Sequence, residues 1–138
     1  MTHTHLVQYY ETDAMGITHH SNYIRWMEEA RVDMLIKGGC DYAGLEKMGL
    51  GIPVLGVQVA YKRPTRFQET VAIEVRLVEY DSIRMKLNYV MHYPGDDTVL
   101  CTGTTEHCFV NAAGRPTSVR RSHPEVHAAF LALLGRDA

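Results

Sequence analysis

From Ser21 to the glycine pair Gly38-Gly39 the chain reads as one helix too apolar to lie on a surface. Tyr23, Trp26, Met27, Ala30 and Met34 recur at helical spacing on one face, and Glu28, Glu29, Arg31 and Asp33 gather largely on the other. Ile24, Val32, Leu35 and Ile36 widen the apolar surface well beyond one stripe. A helix of that kind must be wrapped by the rest of the fold. Ser21 is its expected N-cap, and the two glycines its stop.

The wrapping material follows from a change of period. Residues Leu6 to Tyr10 predict a short opening strand, and Glu11 to His20 breaks all periodicity, with Asp13 and Gly16 as turn residues. After a short helical turn from Tyr42 to Lys47, apolar residues recur at every second position. Val57, Val59 and Tyr61 form one such set; Val71, Ile73, Val75 and Leu77 form the next. Ile83, Met85, Leu87, Tyr89, Met91 and Tyr93 form a third, and Thr98 to Val110 supplies a fourth strand. These are half-buried strands. Glu79 to Ser82 and Pro94 to Asp97 are short enough for hairpin turns, so their neighbours are antiparallel. Ser122 and Glu125 read as a capping box that opens a last helix, with Val126, Phe130, Leu133 and Leu134 on one side. One long helix and consecutive antiparallel strands predict an α+β domain in which a twisted sheet buries the helix. The far face of that sheet would be half dressed, which favours self-association.

Composition narrows the functions. The chain has 138 residues, the size of one domain, with 46% hydrophobic and 22% charged residues, so a disordered or fibrous chain is excluded. A net charge of −2 leaves no diffuse electrostatic footprint for nucleic acid. Cys40, Cys101 and Cys108 show no metal spacing, and three thiols suit a reducing compartment better than a disulfide framework. No run of about 18 apolar residues predicts a membrane span, and the N-terminus lacks the order of a signal peptide. A cytoplasmic protein is expected. His3, His5, His19 and His20 would approach one another if the first strand folded back onto the loop, but no ligand spacing supports a metal. There is no glycine-rich phosphate loop.

The stretch YYETDAMGITHHSNYIRWMEEAR carries the chemistry, through Tyr9, Asp13, Gly16, His20, Tyr23, Glu28 and Arg31. With the later Tyr61-Lys-Arg-Pro-Thr-Arg-Phe, it resembles the hotdog-fold acyl-CoA thioesterases of the 4-hydroxybenzoyl-CoA thioesterase type, nearest to the branch associated with the Tol–Pal envelope system. The resemblance implies a central helix wrapped by a five- to six-stranded antiparallel sheet. It also implies a homodimer with a continuous sheet, often paired into a homotetramer, and an active site at the subunit boundary. No cofactor and no metal is implied.

Thioester hydrolysis needs a carboxylate to attack the carbonyl or activate water, and donors for the oxygen that becomes negative. Asp13 taken alone reads as a turn residue. At these spacings from Gly16, His20 and Tyr23 it reads as the catalytic carboxylate. The first amides of the helix lack intrahelical partners, and by resemblance the amide at His20 is the principal oxyanion donor. The His20 side chain either bonds the thioester oxygen or positions Asp13, unless only its backbone matters. Tyr9 lines the same pocket by resemblance, or is a core aromatic of the first strand. Glu28 and Arg31, three apart, are able to pair as structural residues. Gly16 and Tyr23 complete the expected substrate contacts, and the CoA phosphates call for basic groups at the rim. Lys62, Arg63, Arg66 and Arg84 are the candidates; as surface charges they are equally well explained by solvation. A hydroxyacyl-thioester dehydratase and a non-catalytic acyl-CoA-binding module are the competing readings.

Overall fold

The computed structural model describes residues 1–134. The long helix is α1, Ser21–Lys37, and its buried side chains include Tyr23, Trp26, Met27, Ala30, Met34 and Leu35, as the spacing predicts. Its enclosure is incomplete, because Ile24 and Ile36 remain exposed. The chain then forms α2 (Tyr42–Lys47), capped by the Asp41 side chain, which accepts from the Gly44 amide.

Five strands form one antiparallel sheet: β1 (Thr2–Leu6), β2 (Val54–Tyr61), β3 (Thr70–Tyr80), β4 (Arg84–His92) and β5 (Cys101–Cys108). Their spatial order is β1-β3-β4-β5-β2, so β2 crosses the sheet to pair with β5 at the far edge. Val71, Ile73, Val75 and Leu77 of β3, with Met85, Leu87, Tyr89 and Met91 of β4, are buried, as expected from their alternation. The β3–β4 hairpin is held by Asp81, whose carboxylate accepts from the amides of Ile83 and Arg84. Edge strand β2 is mostly exposed, with Val54, Leu55, Val57 and Tyr61 open to solvent.

Helix and sheet come close together at Gly103. This residue stands opposite Val59 and Tyr89, and a Cβ built on it would overlap the Met27 sulfur of α1. Met27 of the helix therefore packs on bare β5 backbone at this point.

Four local expectations are corrected. The opening strand is Thr2–Leu6, not Leu6 to Tyr10. Its register with β3 runs out at Leu6 opposite Thr70, and Tyr9–Glu11 curls into a 3-10 turn that leaves Tyr9 and Tyr10 exposed. His20, not Ser21, is the N-cap of α1, and Ser21 Oγ lies 2.8 Å from His19 Nδ1. Arg31 is buried and does not pair with Glu28. It follows Met27 and faces the sheet, where Nε donates to the Tyr42 hydroxyl and Nη1 to the Tyr89 hydroxyl, each at 3.0 Å. The Ser122 capping box is absent: Ser122 ends a separate short helix α3 (Val119–Ser122), its hydroxyl donating to the Ser118 carbonyl. The last helix, α4 (Pro124–Leu133), follows with Val126, Phe130 and Leu133 buried, while Leu134 lies beyond its end.

Candidate active site

The segment between β1 and α1 is folded by its own backbone. Thr12 and Thr18 form a bridge, the Asp13 amide donates to the Ile17 carbonyl, and the Gly16 amide donates to the Asp13 carbonyl. Gly16 takes φ +78°, a left-handed turn that glycine adopts without strain. Asp13 Oδ1 accepts from the Met15 amide at 2.8 Å. The turn role expected of an aspartate here is thus present, and it occupies one carboxylate oxygen.

Glu11 anchors this loop to the core. Its buried carboxylate accepts from His5 Nε2 (2.7 Å), the Gln8 amide (2.8 Å) and Trp26 Nε1 (2.8 Å). Burial pushes this carboxyl up, but the bonds from His5, Trp26 and Gln8 outweigh it and hold the group below the usual carboxylate value. The Glu11 carbonyl takes the His19 amide at 2.8 Å and the Asn22 side-chain amide at 2.9 Å.

These bonds determine which amides at the start of α1 are free. His19 donates to Glu11, Ser21 to His19 Nδ1, and Asn22 to the His19 carbonyl. Between them the His20 amide has no acceptor among the described residues. His20 also lines an open cleft of about 290 Å³ with Ile17, Thr18, Tyr23, Tyr61, Lys62, Arg63 and Pro64. Its imidazole is exposed and stacked on His19, with ring centroids 4.2 Å apart.

The cleft floor is a hydroxyl network. Thr18 Oγ1 and Thr65 Oγ1 are 2.6 Å apart, the Tyr23 hydroxyl is 3.0 Å from Thr65 Oγ1, and Thr18 also donates its amide to the Thr65 carbonyl. Burial pushes the Tyr23 phenol up. Tyr61 closes the side, donating its hydroxyl to the His20 carbonyl at 3.0 Å and presenting its ring edge-on to Tyr23. Neither Tyr61 nor Thr65 was among the residues expected to form the site. Their signal was the aromatic that ends β2 just before the basic cluster.

Of the expected site residues, His20, Tyr23, Lys62 and Arg63 share the cleft. Arg66 joins Lys62 and Arg63 along an adjoining groove with Tyr93 and Leu100. Asp13 and Gly16 lie across the loop from the cleft wall at Ile17, and Tyr9 packs outward against Phe67. Arg84 lies at the opposite end of the sheet, where it lines a separate cleft of about 440 Å³ with Leu55, Tyr80 and Lys86. His3 and His5 are bound to Glu29 rather than to the His19–His20 stack. Among the described residues, no group of side chains is arranged to hold a metal ion.

Residues 7–131 match the sequence profile of the thioesterase-like superfamily. A putative esterase of Aquifex aeolicus is 34% identical over 120 residues, 87% of this chain and 91% of that protein. A putative acyl-CoA thioesterase of Bacillus subtilis, YneP, is 29% identical over 124 residues, 90% of each chain. The crystal structure of DHNA-CoA thioesterase from Staphylococcus aureus superposes with a TM-score of 0.88 at 31% identity, covering 95% of this chain and 88% of that one. By that family match and that superposition, with its long helix against a five-stranded antiparallel sheet, this chain belongs to the thioesterase-like superfamily of the hotdog fold.

Proposed function

We propose that this protein hydrolyses an acyl-CoA thioester to a free carboxylic acid and CoA, with Asp13 as nucleophile or general base and the His20 amide as oxyanion donor. Membership of the superfamily makes it a thioester hydrolase; the substrate and the residue roles are the proposal. The observation that carries it is the unpartnered His20 amide at the N-terminus of α1, on a residue lining a cleft edged by Lys62 and Arg63. A thioester oxygen placed there is polarised by that N–H and by the helix dipole. The Asp13 carboxylate then takes a proton from the attacking water, or attacks the carbonyl itself; the C–S bond breaks and the thiolate leaves, and in the second route water then cleaves the acyl–Asp13 anhydride to release the acid and restore the carboxylate. Within the superfamily, the run from Tyr9 to Arg31 supports the 4-hydroxybenzoyl-CoA thioesterase type, nearest the Tol–Pal-associated branch.

Asp13 does not line the cleft of its own chain, and the family resemblance implies a site at the subunit boundary. The open edge of β2, with its exposed Val54, Leu55, Val57 and Tyr61, supports a dimer in which two β2 strands pair antiparallel. That pairing sets the Val54 end of one strand beside the Tyr61 end of the other, and brings Arg84 of the partner subunit towards the cleft. A tetramer of two such dimers, a single domain spanning residues 1–138 and a cytoplasmic location belong to the same reading. The three free thiols Cys40, Cys101 and Cys108 support the location, and no helix of the described residues is long and apolar enough to cross a membrane.

The test is hydrolysis of an acyl-CoA panel followed by thiol detection, with Asp13→Asn beside the wild type. Asparagine still accepts from the Met15 amide, so the loop survives while the charge is lost. Turnover should fall at least about 10²-fold with binding retained. An Asp13→Asn protein with wild-type turnover would refute the role, and release of no thiol from any acyl-CoA by the wild type would refute the substrate class.

A further inference from the structure

Glu11 lies outside the cleft, yet its carbonyl holds the His19 amide and the Asn22 side chain, and its carboxylate holds Trp26 of α1. We infer that Glu11 is the positioning residue of the active site, a buried carboxylate that fixes which helix-start amide is left free for the substrate. The inference rests on the oxyanion role proposed for the His20 amide.

The argument is one of donors and acceptors. Two of the three groups on the Glu11 carboxylate, the Trp26 indole N–H and the Gln8 amide, have no capacity to accept. They address different oxygens: Gln8 and His5 bond Oε1, and Trp26 bonds Oε2. A carboxyl group satisfies both, because each of its oxygens accepts. With glutamine, either orientation of the amide sets its NH₂ against a donor, Trp26 one way and Gln8 the other. A buried donor–donor contact of this kind leaves at least one polar group unsatisfied.

The consequence reaches the site through two short links. The Glu11 carbonyl holds the His19 amide and the Asn22 side chain, so shifting Glu11 releases both. With His19 released, its amide competes with that of His20 for whatever oxygen enters the cleft. Asp13, two residues along, moves with the same turn. The opposite side of the network is also fastened, since His5 Nδ1 is 2.9 Å from Glu29 Oε1 on α1. Strand β1, the loop and the first two turns of α1 are thereby tied at one carboxylate.

Glu11→Gln in the full chain tests this by amide hydrogen exchange and by steady-state kinetics. The His19 and Gln8 amides should exchange about tenfold faster or more. Leu100 and Phe109, whose amides are bonded to Met91 and Ile83 in the sheet, should keep wild-type rates. kcat for an acyl-CoA should fall about 10–100-fold with KM within about twofold, as misplacement of a transition-state donor predicts. Trp26→Phe, which removes one donor, should loosen His19 less. In the double variant the donor conflict with Trp26 is gone, so its exchange rate at His19 should lie below that of Glu11→Gln alone. Unchanged exchange at His19 would overturn the inference. Equal acceleration at Leu100 and Phe109 would also overturn it, making Glu11 a general support of the fold. If the wild type proves to hydrolyse no thioester, the function proposed above fails, while the exchange experiment still decides whether Glu11 sets the helix start.

Discussion

Substituting alanine at Gly103 is the most direct measure of how deeply α1 is seated. The added Cβ would overlap the Met27 sulfur and stand 3.4 Å from the Gln58 carbonyl oxygen. Met27 is fully buried, so its thioether yields only by pressing on packed neighbours. Overpacking a closed core costs about 1–3 kcal/mol. Against this, alanine in a strand is worth about 0.5–1 kcal/mol over glycine through the unfolded chain. The net expectation is a loss of about 1–2 kcal/mol, or roughly 3–8 °C in Tm for a chain of this size. The decisive arm repeats the change in a Met27→Ala background, itself about 2–5 kcal/mol less stable. There the obstruction is gone, and Gly103→Ala should stabilise by about 0.5–1 kcal/mol. A reversal of sign between backgrounds is an interaction of about 2 kcal/mol, well above experimental error. Urea or thermal melts at one fixed protein concentration supply the numbers, since any self-association makes Tm concentration-dependent. Equal effects in the two backgrounds would show that Met27 of the helix does not pack on the β5 backbone.

Three further outcomes are expected. Replacing Lys62 and Arg63 together by alanine should raise KM for acyl-CoA about 10-fold at low salt, leave kcat within about twofold, and abolish the salt dependence of KM; an acyl-pantetheine, lacking the nucleotide phosphates, should not distinguish the variant from the wild type, and if it does the phosphate contact is wrong. His107 is fully buried, and burial, with Arg31 nearby, lowers its imidazole to about 4 from an ordinary 6.5. The unfolded chain therefore binds a proton that the folded one does not, so stability should fall by up to about 3 kcal/mol as pH drops from 6.5 to 4 and level off below; Tm against pH should be flatter over that window in His107→Gln. Burial pushes the Cys101 thiol up to about 12, so at pH 8 alkylation of native Cys101 should be at least about 10²-fold slower than in the unfolded chain, and rapid native labelling would contradict its burial.

The parts of this fold that were legible in the sequence are those in which a side-chain period meets a continuous core. Val71 to Leu77 and Met85 to Met91 declare their faces by alternation, and Tyr23 to Met34 declares a helix, because each residue faces the same neighbour throughout. Edge positions were not legible in that way. The exposed strand Thr2–Leu6 has no apolar alternation, and its backbone bonds to β3 leave no mark in residue type. The long crossover of β2 to β5 was hidden for the same reason: period two specifies a strand but not its partner. Within the site, His20 and Tyr23 were singled out by the family resemblance and Lys62 and Arg63 as a basic cluster, and the four share a cleft. Glu11 was not singled out, because a lone acid in a polar loop gives no sign that His5 and Trp26 will converge on it. Arg31 misled for the opposite reason, since a charge on an apolar helix reads as outward until Tyr42 and Tyr89 bring hydroxyls inward to meet it.

The crossover also sets an order of events during synthesis. Tyr61 pairs with Cys101 and Val54 with His107, so β2 leaves the ribosome 40 to 53 residues before its partner strand within the described residues. At roughly 5–20 residues per second that is a wait of about 2–10 s with one whole strand unpaired. The β3–β4 hairpin forms from contiguous residues and has no such wait, and long-range pairings of the β2–β5 kind are the slow steps of folding. Translation speed across residues 62–100 should therefore govern the yield of native chains more than speed before or after it. The end of β2 carries Tyr61, and the next residues are Lys62 and Arg63, so the cleft is assembled by the last strand to find its place.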